Sequence, residues 1–165
     1  MLVAIRLGVS EEAVVEVGDI CNRNMVTIGA YASLVDAAQL MRKDHVGLLA
    51  VTEPMGDGHD ARVIGVLTDR DIVTAVVAKS ADPGTLTVGD VMARTPVMVS
   101  ELHSLGHALR LMRESGVRRV PVVGNRDQLV GVLSVDDVLE ALAVELSDVS
   151  LAIRSGQKLE RYSRP

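Results

Sequence analysis

The chain of 165 residues is 48% hydrophobic and carries a formal net charge of −5, with no Phe or Trp, two Tyr and a single Cys. That apolar content fills an interior and excludes a disordered chain. The acidic balance leaves no electrostatic footprint for phosphate backbones or anionic lipid, and the lack of aromatic platforms speaks against stacking on single strands, so nucleic acid is disfavoured as a partner. No apolar run reaches membrane length, Met1 to Val9 is too short for a secretory signal, and the lone Cys21 fits a reducing compartment, so a cytoplasmic location with no membrane partner is expected.

In chain order, Ser10-Glu11-Glu12 ahead of Ala13-Val14-Val15 reads as a capped short helix. Val17 to Cys21 leads through the turn-like Asn22-Arg23-Asn24 into a strand at Met25–Ile28. Ser33 caps a helix in which Leu34, Ala37, Ala38, Leu40 and Met41 share an apolar face, ending near Asp44. Two nearly continuous apolar runs, Val46–Val51 and Val63–Leu67, suit buried strands flanking the loop Glu53–Arg62. Thr68-Asp69 then opens a helix over Ile72, Val73, Val76 and Val77, with acid at its start as the macrodipole prefers. After the turn-rich Ala81-Asp82-Pro83-Gly84 the same order returns: strand Val97–Val99, helix Ser104–Ser115, strands Arg119–Val123 and Leu129–Leu133, and a helix from Val135 to about Leu146. Residues 147–165 are more polar and are expected to fray towards Pro165, although Val149, Ala152 and Ile153 could extend the helix by a turn or two, for self-association or for packing back on its own domain.

The recurrence is one of sequence as well as of pattern. Gly65-Val66-Leu67-Thr68-Asp69-Arg70-Asp71 returns as Gly131-Val132-Leu133-Ser134-Val135-Asp136-Asp137, while Val17-Gly18-Asp19-Ile20 and Leu40-Met41-Arg42 return as Val88-Gly89-Asp90-Val91 and Leu111-Met112-Arg113. The upstream spacing is 71 and the spacing at the glycines 66, so the first copy carries five extra residues in a loop. A duplication at fixed spacing means two neighbouring half-cores and any pocket present twice. The division is an N-terminal segment 1–16, a first repeat 17–78, a linker 79–87, a second repeat 88–146 and a tail 147–165.

In each copy a hydroxyl ends a strand, and a carboxylate follows three residues later in the first turn of a helix. Such a pair most often caps the helix. It can also converge on a ligand, because a ribose diol can donate two hydrogen bonds to one carboxylate and free backbone N–H groups at a helix start favour a nearby anion. Asp71 and Asp137 fit the first role, and Thr68 and Ser134 can donate to ribose or phosphate oxygens.

These two motifs, with Val117-Arg118-Arg119-Val120-Pro121-Val122-Val123, resemble the tandem CBS domain pair called a Bateman module, over about residues 17–146. The resemblance implies an α/β (α+β) fold: two β-α-β-β-α repeats packed through their sheets about a pseudo-twofold axis, with a nucleotide cleft on each side. It further implies pairing into a homodimer. It places Thr68, Arg70, Asp71, Thr95, Pro96, Val97, Arg118, Ser134 and Asp137 at the nucleotide, with Arg118 preferred to Arg119 for phosphates because neighbouring strand residues point oppositely. Gly47 stands where the second copy has Arg118, Asn24-Met25-Val26 replaces Thr95-Pro96-Val97, and Ala50 replaces Pro121, so the clefts need not be equivalent.

The expected function is a regulatory, energy-sensing module that binds an adenosine-containing nucleotide (AMP, ADP or ATP) and signals by conformational shift to a separate, unknown regulated protein. The alternative is a structural or dimerisation module with no nucleotide function. An enzyme is not expected: no nucleophile has a partnered base, and Asp69 and Asp71, two apart at a helix start, do not face each other. His103 and His107 are four apart but lack a His-Glu-x-x-His pattern and a third ligand, His45 and His59 read as solvated, and Gly56-Asp57-Gly58 has no dinucleotide-binding continuation. No metal and no obligatory cofactor are expected, only an adenine nucleotide as regulatory ligand.

Overall fold

The structure, a computed structural model, describes residues 15–56 and 60–163. The predicted short helix after Ser10 and the loop residue His59 lie outside the described residues. Two three-stranded sheets carry the chain, each with its middle strand parallel to the first and antiparallel to the third. The first holds β1 (Thr27–Gly29), β2 (Leu48–Met55) and β3 (Asp60–Thr68), and the second holds β4 (Val99–Ser100), β5 (Arg119–Val123) and β6 (Leu129–Ser134). Helices α2 (Leu34–Asp44) and α3 (Asp69–Ala75) cover the first sheet, and α5 (Leu105–Ser115) and α6 (Val135–Ser163) belong to the second unit.

The expected helix faces are those buried. Leu34, Ala37 and Met41 of α2 close on Leu49, Val51 and Leu67, while Ala108 and Met112 of α5 close on Val99, Val120, Val122 and Leu133. Ser33 and Ser104 each accept a hydrogen bond from the backbone N–H three residues on, which fixes where these helices start. The predicted strands Met25–Ile28 and Val97–Val99 are shorter and slightly later, although Val26 O, just before β1, still accepts a hydrogen bond from Ala50 N–H at 3.1 Å. The five additional residues lengthen the β2–β3 hairpin at the end remote from Thr68, so the insertion does not reach the Thr68–Asp71 turn.

A feature absent from the linear reading is an exchange of first helices. The short helix α1 (Val17–Ile20) lies on the second unit, with Val17 N–H donating to His103 O and Gly18 N–H to Glu101 O, both at 2.9 Å. Its counterpart α4 (Val88–Val91) lies on the first unit, with Val88 N–H donating to Ala32 O at 3.0 Å and Gly89 N–H to Ala30 O at 2.8 Å. Val17 is fully buried in the second core, and Val88 with Met92 in the first. Each core is thus closed by a residue from the other repeat, so the two cores depend on each other.

The chain returns from these helices along the edge of the opposite sheet. Asn22 and Val132 exchange two backbone hydrogen bonds of 2.9 Å, and Ala93 and Val66 do the same at 2.9 and 3.1 Å. This approach explains the glycine of the repeated motif. A Cβ on Gly131 would stand 2.4 Å from Asn22 O, and one on Gly65 would stand 2.9 Å from Ala93 O and 2.8 Å from the Met92 sulfur. The glycine admits a neighbouring backbone.

The last helix departs most from expectation. It runs unbroken to Ser163, well past the turn or two beyond Leu146 that the sequence suggests. The tail contains no proline before Pro165 and one glycine, and is otherwise rich in residues that tolerate a helix.

Candidate functional site

Ser134 and Asp137 form a closed hydrogen-bonded ring at the start of α6. One carboxylate oxygen of Asp137 accepts from both Ser134 N–H and Ser134 Oγ–H at 2.7 Å, and Asp137 N–H donates back to Ser134 Oγ at 3.1 Å. Thr68 and Asp71 repeat it at α3, at 2.9, 2.6 and 3.1 Å. These are reciprocal capping boxes. Thr87 and Asp90 make the same carboxylate contacts at α4, at 2.8 and 2.6 Å, yet line neither inter-unit cavity. Capping geometry alone therefore marks no site; what separates the two motif pairs from Thr87–Asp90 is the hollow in front of them.

Thr68 and Asp71 open onto a cavity of about 360 Å³ between the units. Its first-unit wall is Gly47, Leu48, Val66 and Thr68 to Asp71; its second-unit wall is Ala93, Val97 and Gly116 to Arg119. Ser134 and Asp137 open onto a second cavity of about 180 Å³, walled by Asn22, Asn24, Met25, Val26, His45 to Leu48, Arg119 and Val132. The two sets correspond under the repeat. Asn22 to Val26, the segment crossing from α1 to β1, stands where Ala93 and Val97 stand, and His45 to Leu48 stand where Gly116 to Arg119 stand.

The chemistry differs. The first cleft has Arg70, Arg118 and Arg119 with Asp69 and Asp71; in the second, Arg119 is the one arginine and Asp137 the one carboxylate among the lining residues. Of each motif carboxylate, one oxygen is held by the cap, and the other has no protein partner among the described residues. Each carboxylate thus has an oxygen to spare without giving up its helix.

Thr68, Arg70, Asp71, Val97 and Arg118 come together in the first cleft, and Ser134 and Asp137 in the second. Thr95 and Pro96 line neither; Thr95 is exposed just before Val97. Arg118 lines the first cleft as expected, and Arg119 lines it as well. Arg118 precedes β5, so strand alternation does not govern it; both arginines line the first cleft and Arg119 also borders the second. Arg119 lies 4.0 Å from the exposed Asp136 carboxylate, a contact that holds it only weakly.

His45, read as merely solvated, also lines the second cleft. It caps α2 in the left-handed region at φ 54°, where Gly116 caps α5 at φ 67°. The signal was its place in the repeat, four residues after Met41 as Gly116 is four after Met112. His103 and His107 lie with ring centroids 4.3 Å apart, and no group of three or more metal-ligating side chains occurs among the described residues. Cys21 is half-buried, and burial pushes its thiol pKa up, which opposes a reactive thiolate.

The family model for the CBS domain matches residues 17–78 and again 88–144. The chain belongs to the CBS domain family. It is similar to Hypoxic response protein 1 of Mycobacterium tuberculosis, 36% identical over 124 residues that cover 75% of this chain and 82% of the relative. An uncharacterised protein of Methanopyrus kandleri is 28% identical over 126 residues, and there the match spans only 62% of the relative.

Among solved structures, the mycobacterial protein with two coordinated zinc ions superposes with a TM-score of 0.65 at 35% identity, covering 76% of this chain and 98% of that one. A hexameric CBS-CP12 protein from bloom-forming cyanobacteria gives 0.66 at 33% identity, covering 77% and 67%. A CBS domain pair in complex with 5′-methylthioadenosine and S-adenosyl-L-methionine gives 0.68 at 22% identity, covering 80% and 98%, a likeness of fold. The fold is thus α+β, as two CBS repeats. No helix among the described residues is long and apolar enough to cross a membrane.

Proposed function

We propose that this chain is a regulatory CBS pair that binds an adenosine-containing nucleotide in its first cleft. The observation that carries the reading is the convergence in one inter-unit hollow of Asp71, with an oxygen left over from its cap, and three arginines. At about 360 Å³ the hollow lies within the usual range for small-ligand sites, roughly 300–1,000 Å³, whereas the second cavity falls below it. In this reading Asp71 accepts from the ribose hydroxyls and Thr68 contributes its hydroxyl. Val66 and Val97 flank the base with aliphatic surface, and Arg70, Arg118 and Arg119 face the phosphates. The adenosine compounds in the structurally similar CBS pair support the ligand class.

A ligand seated there touches β3 and α3 of one unit and residues 116–119 of the other, and so favours whichever arrangement of the units it fits better. The reading assigns the chain no catalysis; its output goes to a separate regulated protein. A thermal-shift panel of AMP, ADP, ATP, S-adenosylmethionine and NADH tests it, since a ligand of the native state raises the melting temperature by mass action. The account expects at least one adenosine compound to do so, and to lose most of that effect in Asp71→Asn, which keeps a cap acceptor but removes the charge. A flat panel favours the purely structural module.

A further inference from the structure

Helix α6 leaves the second core almost as soon as it begins. Val138 is buried, but Leu139, Leu142, Leu146, Val149 and Ile153 are all exposed, Leu146 to 69% and Ile153 to 58%. Their spacing is three, four, three, four, the repeat with which two helices interlock side chains along a seam. Ala143, Ser150 and Ala152 flank the seam and let a second backbone come close. The apolar faces of α2 and α5 are largely turned into the two cores. Part of the stripe, Leu146 to Ile153, lies beyond residue 144, where the CBS match ends.

We propose that a second copy of this chain packs along this seam, α6 against α6. A stretch identical on both partners is self-complementary, as a two-fold pairing requires. The area is of the right size. Covering five aliphatic side chains at about 100 Å² each removes roughly 500 Å² per copy from water. The flanking small residues bring this towards the roughly 600–1,000 Å² per partner of specific interfaces. Charge favours an antiparallel pairing, which sets the acidic start of one helix, with Asp136 and Glu140, towards Arg154 of the other; a parallel pairing stacks like ends. The seam is separate from the clefts, and this inference stands whether or not they bind a nucleotide.

The test is analytical ultracentrifugation of the full chain across a concentration series, on wild type, Leu146→Glu with Val149→Glu, and Val144→Glu with Leu151→Glu. The second pair is exposed and apolar but off the seam. Wild type is expected to associate, the seam pair to need at least tenfold more protein to do so while keeping the wild-type far-ultraviolet circular dichroism, and the off-seam pair to match wild type. Ile153→Glu, far along the helix from the buried Val138, repeats the measurement should the seam pair fail to fold. A wild type that stays monomeric overturns the proposal. Seam variants that associate as well as wild type overturn it too, as does equal loss in both pairs, which would mark unspecific stickiness.

Discussion

The two clefts are built by one rule and differ in what the rule carries. In both, a capped carboxylate ends one wall and a segment crossing from the other unit's docked helix forms the opposite wall. At the position that answers Arg118 the second cleft has Gly47, at Arg119 it has Leu48 and at Gly116 it has His45, while Asp136, which answers Arg70, does not line it. The result is half the volume and a third of the arginines. Duplication conserves the scaffold because each core borrows a helix from the other; the lining residues, which no core constrains, are free to diverge.

The largest expected effect comes from breaking the scaffold. Gly131→Ala forces a Cβ to 2.4 Å from the Asn22 carbonyl oxygen, a backbone atom that cannot swing away. Overpacking of this kind is expected to cost about 3 kcal/mol, read as a lower urea midpoint. Gly65→Ala meets the Met92 sulfur and the Ala93 carbonyl less closely, and is expected to cost less. Equal losses would contradict the claim that the crossing segment sits tighter on β6 than on β3.

Next in size is Arg118→Gln, which leaves the cavity shape nearly intact and removes a cation from the first cleft. Calorimetry should show about tenfold weaker binding of ATP, about 1.4 kcal/mol, and little change for adenosine. Matching losses for both would mean that Arg118 shapes the wall and does not meet phosphate.

The smallest effect sharpens the contrast between capping and binding. Asp90 shares the cap chemistry of Asp71 but lines neither cleft, and the Thr87 hydroxyl and backbone N–H hold its carboxyl below the ordinary aspartate value of 3.8. A lowered native pKa means stability that is present above the unfolded-state value and is lost as pH falls through the native one. Asp90→Ala should therefore trim stability slightly at neutral pH, flatten the acid limb of the melting profile below about pH 4, and leave nucleotide affinity unchanged. A loss of affinity in this variant would show that the caps communicate with the clefts.

Much of this was legible in the chain. Ser33, Ser104 and the alternation of apolar runs place α2, α5 and the middle strands, because capping and burial are local signals. The spacing of Thr68 with Asp71 and Ser134 with Asp137 gives the caps and, through the duplication, the hollows in front of them. What stayed hidden is tertiary. A spacing of 71 residues is the same whether Val17 packs on its own unit or on the other, so the exchanged helices leave no periodic trace. The motif glycine reads as a turn or a ligand contact until Asn22 is seen against it. Strand alternation could not separate Arg118 from Arg119, because Arg118 lies just outside the strand. The tail's apolar residues were legible, but whether they pack back on their own domain is settled only by their exposure.

The claim at the centre is that one cleft of the two holds the nucleotide, through Asp71. Isothermal titration of the full chain with ATP tests it most directly, comparing wild type, Asp71→Asn and Asp137→Asn. The account predicts one site per chain, weakened more than tenfold by Asp71→Asn and changed less than about twofold by Asp137→Asn. Two equal sites, or a loss confined to Asp137→Asn, would contradict it.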